Sequence, residues 1–210
     1  MERIQRQPNQ TTLFSPARQA SLGDQLKRGI GQWVDLTSEQ WDRLSAIFKL
    51  RRIPANEHFL LPGDHVHEVL FVCQGLLRFY YLSEEGAESN KAFIAEDTFA
   101  GALAAFGLNL PVLYGIQTLE PTILFAANYN DFSALFDVDP VFDRLGRKLA
   151  EWVLMRKELR VRKMLQSQAK ARYLDFLAQE PNLAERVPDY HIASYLGITS
   201  VSLSRIRRDL

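Results

Sequence analysis

An unbroken helical run divides this chain. After Asp137-Val138-Asp139-Pro140 the apolar residues keep a helical period for about 27 residues, with no proline and one glycine, Gly146, before the Ser167 region. At 1.5 Å per residue this predicts a rod of roughly 40 Å. Along it Val141, Leu145, Trp152, Met155 and Leu159 recur at steps of 4, 7, 3 and 4, the apolar seam of a helix that pairs with another. Such a seam packs either on the chain's own sheet or on a second subunit. The rod outreaches a preceding globule of some 90 residues, which favours a subunit interface and hence a homodimer.

Upstream of the rod the pattern is different. Between residues 50 and 130, short runs of β-branched and aromatic residues are punctuated by Pro54-Ala55-Asn56, Pro62-Gly63-Asp64, Gln74-Gly75, Glu85-Gly86 and Glu120-Pro121. The clearest predicted strands cover 68–74, 76–82, 89–95, 113–119 and 122–127, as expected of an antiparallel roll, barrel or sandwich. Before them, Thr37 with Gln40 three positions on predicts a capped helix carrying Trp41, Leu44, Ile47 and Phe48 on one face. The first twenty residues are polar, contain Pro8 and Pro16, and keep no period, so they read as a loosely ordered arm. The expected organisation is an arm over 1–32, a sensor roll over 33–137, a dimerisation helix over 138–168 and a terminal domain over 169–210.

Charge is distributed unevenly along a chain whose formal net charge is zero. Residues 84–143 carry one basic group, Lys91, against ten acidic ones, whereas residues 144–210 carry fourteen basic against seven acidic. A basic terminal third suits a polyanion, and equally an ordinary solvated basic helix face. Seven cations, Arg156, Lys157, Arg160, Arg162, Lys163, Lys170 and Arg172, fall between residues 156 and 172, where some can meet phosphates while most solvate the helix. The single cysteine, Cys73, lies in an apolar run and excludes an internal disulfide and any four-cysteine zinc or iron-sulfur centre. No apolar stretch reaches the 18 or so residues of a spanning helix, and no signal peptide is legible. Cytoplasmic localisation away from membranes is expected.

The last twenty residues are the most specific. In Asp189-Tyr190-His191-Ile192-Ala193-Ser194-Tyr195-Leu196-Gly197-Ile198-Thr199, Ile192, Ala193 and Leu196 form the apolar face of a helix that Gly197 can end in a left-handed conformation. Thr199 then caps a second helix, with Leu203 and Ile206 facing inward. This is the helix-turn-helix pattern, whose second helix enters a DNA major groove. The predicted DNA-contacting residues are Thr199, Ser200, Val201, Ser202, Ser204, Arg205 and Arg208, and a hairpin that only packs does not need the Arg205, Arg207, Arg208 cluster.

The run Arg186-Val187-Pro188 through Thr199, with Ser202-Leu203-Ser204-Arg205-Ile206-Arg207, closely resembles the terminal domain of Crp/Fnr-type transcription regulators. Upstream, Pro62-Gly63-Asp64, Val69-Leu70-Phe71-Val72 and Gly75-Leu76-Leu77-Arg78-Phe79-Tyr80 look like that family's cyclic-nucleotide-binding roll. The resemblance implies an α+β chain: an N-terminal double-stranded β-roll, a long dimerisation helix and a C-terminal helix-turn-helix. It also implies a palindromic operator and contact with RNA polymerase.

Two positions depart from the family. Its nucleotide-binding members use a Gly-Glu pair for the ribose and a later Arg for the cyclic phosphate. Here the matching stretches read Gly101-Ala102-Leu103 and Val112-Leu113, and no Lys or Arg occurs from Ala92 to Asp143. A buried phosphate without a partner is costly, so loss of cyclic AMP binding is expected. Phe99, Gly101, Ala102, Leu103, Phe106, Leu113 and Tyr114 are the candidate effector pocket, open to a small apolar ligand or simply filled. In the second helix, Ser200 and Val201 replace residues with which relatives often read bases, leaving Arg205 as the best base reader. Two rival readings remain. His65-Val66-His67-Glu68, with His58, could form a cupin-like metal roll, and the rod could serve a dimeric signalling protein that never touches DNA. No catalytic arrangement, cofactor motif or metal site is expected.

Overall fold

The structure, a computed structural model, describes residues 13–65, 68–101 and 110–210. Two four-stranded antiparallel sheets form its centre. One has the order β1-β8-β3-β6, built from β1 (Lys49–Ile53), β8 (Thr122–Asn128), β3 (Glu68–Gln74) and β6 (Thr98–Gly101). The other has the order β2-β7-β4-β5, from β2 (His58–Leu60), β7 (Gly115–Thr118), β4 (Leu77–Leu82) and β5 (Glu88–Ile94). Non-sequential neighbours in both sheets make this a roll rather than a meander. The α+β class is the one the sequence predicts.

Strand β3 explains why the roll closes tightly. Val69 to Cys73 are all buried, without the alternation of a half-solvated strand, because both faces of β3 are covered. The opposite sheet covers one face and helix α1 (Pro16–Gly31) covers the other. Leu22, Leu26 and Ile30 of α1 lie in the same core as Phe71, and a Cβ on Gly29 would fall 2.4 Å from the Phe71 ring. The arm expected over 1–32 is therefore corrected from Pro16 onward. Ser15 caps α1, and Pro16 sits at the first helical position, where its missing N–H costs nothing. Read as a chain breaker, that proline concealed a helix start.

Helix α2 (Ser38–Ile47) begins with the expected capping box: Thr37 Oγ1 accepts from Gln40 N while Gln40 Oε1 accepts from Thr37 N. After β8, α3 (Tyr129–Ala134) and a short 3-10 turn lead to the rod, α4 (Pro140–Gln166), capped by Asp139. Only its first half meets the core, through Phe142, Leu145 and Leu149. Four helices follow: α5 (Ala169–Gln179), α6 (Pro181–Arg186), α7 (Asp189–Leu196) and α8 (Ser200–Arg208). Their core is not separate from the roll. Tyr173, Phe176, Ile192, Leu196 and Leu203 cluster with Leu76 and Phe93 of the sheet. None of the helices of the described residues is long and apolar enough to cross a membrane.

Candidate nucleic-acid interface and effector crevice

Helix α7 ends where the sequence requires. Gly197 takes φ 66°, ψ 40°, and the chain turns into α8, where Thr199 Oγ1 accepts from Ser202 N at 3.1 Å. Leu203 is buried beneath α8, and its outer face presents Ser200, Val201 (70% exposed), Ser204, Arg205 and Arg208 to solvent, with Ser202 half-buried. Arg205 makes no ion pair among the described residues. Arg207 is different: its guanidinium donates to Tyr173 Oη at 2.8 Å and to Asp189 Oδ2 at 2.7 Å, tying α8 to α5 and α7. The three-arginine cluster is corrected to two outward cations and one packing residue.

The cations between 156 and 172 also divide by role. Arg160 donates to the carbonyls of Tyr195 (2.7 Å) and Asn90 (3.3 Å), Lys163 pairs with Asp175 at 3.0 Å, and Arg172 donates to the Leu196 carbonyl at 2.9 Å. Arg160 and Lys163 brace the tail against the rod, and Arg172 ties α5 to the end of α7. The charge excess that suggested a polyanion is thus partly structural.

The tail docks on the roll through a polar seam that the sequence did not reveal. Asn90 on β5 donates its backbone N–H to Ser194 Oγ (2.9 Å), and its Nδ2 donates to His191 Nδ1 (3.0 Å) and to the His191 carbonyl (3.1 Å). Behind Asn90, Arg78 is only 3% exposed and is fully engaged by Glu88 (2.6 Å), Gln117 (2.6 Å) and Asn90 (3.2 Å). Burial, with the Arg78 cation nearby, pushes the His191 ring down to about 4, so it is neutral and can accept. At the seam's other end Arg186 binds Glu96 and Glu120 in two forked pairs of 2.7 to 2.9 Å. Burial pushes the Glu96 carboxyl up, but hydrogen bonds from Arg186 and the Gly75 N–H hold it below its ordinary value.

Three of the five predicted seam residues turn inward. Leu145 is fully buried, Val141 packs on the same core, and Trp152 meets Trp33 edge-on at 5.9 Å. Leu145 is therefore corrected from an interface residue to a core residue. Met155 and Leu159 do face solvent, joined by Leu154, Val161 and Leu165, which the first period did not include. These outward apolar residues lie in the second half of α4.

Between the roll and α4 lies a cavity of about 140 Å³. Phe99, Gly101 and Tyr114 of the candidate set line it, whereas Leu113 is 68% exposed and is corrected out of the pocket. Ala102, Leu103 and Phe106 lie outside the described residues. The expectation that an anion here meets no counter-charge is also corrected. Lys91 of β5, next to the start of the cation-free stretch, and Arg156, Lys157 and Arg160 of α4 border the cavity. Lys91, the lone cation of its acidic segment, was the signal that could have found the site.

The tetrapeptide considered for a metal is differently occupied. Glu68 is held by Arg51 in a fork of 2.6 and 3.0 Å, and His58 Nδ1 pairs with Tyr80 Oη at 2.8 Å. Val66 and His67 lie outside the described residues. Among the described residues no three metal-ligating side chains gather.

This double-sheet roll, followed by a long helix, defines a class. Residues 50–139 match the family model of the cyclic nucleotide-binding domain. The chain as a whole has the fold of Crp/Fnr transcription regulators, as the sequence resemblance implied. FixK2 from Bradyrhizobium japonicum is 18% identical, with a TM-score of 0.69 over 78% of this chain and 84% of its own. A protein from Eubacterium rectale described as a transcriptional regulator of the Crp/Fnr family is 17% identical, with a TM-score of 0.67 over 84% of each chain. The c-di-GMP responsive regulator CLP from Xanthomonas campestris is 18% identical, with a TM-score of 0.63 over 80% of this chain and 88% of its own. No protein of curated function matches the sequence significantly.

Proposed function

We propose that this protein is a DNA-binding transcription regulator of the Crp/Fnr type. It acts in the cytoplasm, without enzymatic activity, as a homodimer that reads a palindromic duplex. The observation that carries the reading is α8: an amphipathic helix anchored by Leu203 and Arg207 that holds Val201, Ser204, Arg205 and Arg208 outward. A helix that served packing alone would have no use for two guanidinium groups on its solvent face, of which Arg205 makes no ion pair among the described residues and Arg208 meets only the neighbouring Asp209 at 3.7 Å. The exposed apolar row Leu154, Met155, Leu159, Val161 and Leu165 supports pairing through the distal half of α4. Two such tails place their reading helices about 34 to 36 Å apart, one turn of duplex. RNA polymerase would be met by the assembled dimer on its site.

The roll, on this reading, is a sensor that no longer takes cyclic AMP as the family's nucleotide-binding members do. The carboxylate those members use for the ribose is replaced by Ala102. A salt titration of binding to random duplex DNA tests the central reading. About six phosphate contacts would weaken binding by roughly 1,000-fold between 50 and 200 mM salt. A flat response, or no binding at 50 mM, would overturn it in favour of a dimeric signalling protein that works through protein contacts.

A further inference from the structure

We propose that Val201 reads the 5-methyl group of a thymine, so that each half-site carries a thymine within about two base pairs of the guanine that Arg205 meets. This assignment deepens the DNA reading above and rests on it. Val201 is 70% exposed in the first turn of α8 and is the one apolar side chain on the outer face of that helix. Arg205 and Arg208 follow it at steps of four and three, so the three side chains share one stripe. Leu203, two positions from Val201, lies on the opposite face and is buried.

Helix α8 is not free to turn and hide Val201. Thr199 caps its start, and Arg207 binds Tyr173 and Asp189 beneath it. Just past its end, Lys170 of α5 donates to the Asp209 carbonyl at 3.1 Å. Rotation about the helix axis would break all of these bonds. A β-branched residue in a helix also keeps one preferred side-chain rotamer, so the two methyl groups of Val201 project in a fixed direction. The outer face of α8 therefore holds a stiff apolar tip beside two guanidinium groups.

Of the groups that the base pairs display in a major groove, only the thymine methyl is apolar. Val201 has no side-chain donor or acceptor. Set against the edge of a guanine, cytosine or adenine, it would strip water from a polar group and offer no hydrogen bond in return. Against a thymine it covers a methyl group that water solvates poorly. The spacing fixes where that thymine lies. Val201 and Arg205 are one helical turn apart, about 6 Å along the axis, while successive base pairs rise about 3.4 Å. With α8 lying along the groove, the two side chains meet bases about two steps apart.

The test uses duplexes selected from a random pool by the full chain, with each thymine of the half-site replaced in turn by deoxyuridine, which loses only the methyl group. At one thymine, within two steps of the guanine whose preference relaxes in Arg205→Ala, the replacement should weaken binding about fourfold in one half-site and roughly 15-fold in both. Val201→Ser should bind the thymine and deoxyuridine duplexes within about twofold of each other. An apolar contact neutralises no phosphate, so the salt slope of Val201→Ser should equal that of the wild type. The exposed position tolerates serine, and a melting curve checks that the variant folds. Equal binding of thymine and deoxyuridine duplexes by the wild type would overturn the proposal. So would undiminished discrimination in Val201→Ser, an altered salt slope in that variant, or selected half-sites with no thymine near the guanine. Symmetric, salt-sensitive binding that ignores the methyl group leaves the DNA reading standing without this assignment, whereas the absence of any duplex binding removes both.

Discussion

Arg205 and Arg207 lie two residues apart on one short helix, and their replacement by alanine should have opposite consequences. Arg205 is exposed and makes no ion pair among the described residues, so Arg205→Ala should change stability by less than about 0.5 kcal/mol. If its fork reads a guanine edge, each half-site loses about 1 to 3 kcal/mol, or roughly 5- to 150-fold in affinity. With two half-sites the loss in the dimer is about 2 to 6 kcal/mol, and the preference at one base position per half-site relaxes. Arg207→Ala removes hydrogen bonds of 2.8 Å to Tyr173 and 2.7 Å to Asp189, which should cost about 1 to 3 kcal/mol of stability while leaving the base preference unchanged. Fluorescence anisotropy on a selected duplex, paired with urea unfolding of each variant, separates the two effects. Equal affinity and unaltered base preference in Arg205→Ala would refute the assignment, and so would a base-specific defect in Arg207→Ala.

Three further outcomes are expected. Gly197→Ala forces a Cβ into a left-handed backbone with φ 66° and to within 2.6 Å of the flexible Met164 Cε, so it should cost about 1 to 2 kcal/mol in urea unfolding. The double variant Val161→Glu with Leu165→Glu charges the exposed distal face of α4 and should give a folded monomer in sedimentation equilibrium; a persistent dimer would locate the interface elsewhere. His191 is held near 4, against an ordinary 6.5, so between those values the unfolded chain binds a proton that the folded chain refuses. Its contribution is therefore full above pH 6.5 and lost as pH falls toward 4. His191→Gln should flatten that part of the stability profile, and an unchanged acid slope would remove His191 from the account.

The rod, the main strands and the terminal turn were legible because each has a strong local signature. A proline-free helical period, turn dipeptides between apolar runs, and a glycine followed by a capping threonine are all set by neighbours in sequence. Helix α1 was lost for a local reason, since Pro16 starts a helix as readily as it ends one. Strand β6 and the short β2 were too brief to show a period. The candidate site was legible only in part, because burial is a tertiary property. The seam residues Leu145 and Met155 were read as one helical stripe, yet Leu145 is core and Met155 faces solvent. Arg205 and Arg207 read alike in composition, and only the position of Tyr173 distinguishes them. The docking of α7 on β5 joins Asn90 to His191 across 101 residues, a separation that no local pattern encodes.

Selection of bound sequences from a random duplex pool by the wild-type chain tests the central claim most directly. Enrichment of a two-fold-symmetric sequence whose half-site centres lie about 10 to 10.5 base pairs apart is expected, with the preference at one base position per half-site relaxed when Arg205 is replaced. A pool that emerges unenriched, or enriched for a single site without symmetry, would contradict a paired reading head.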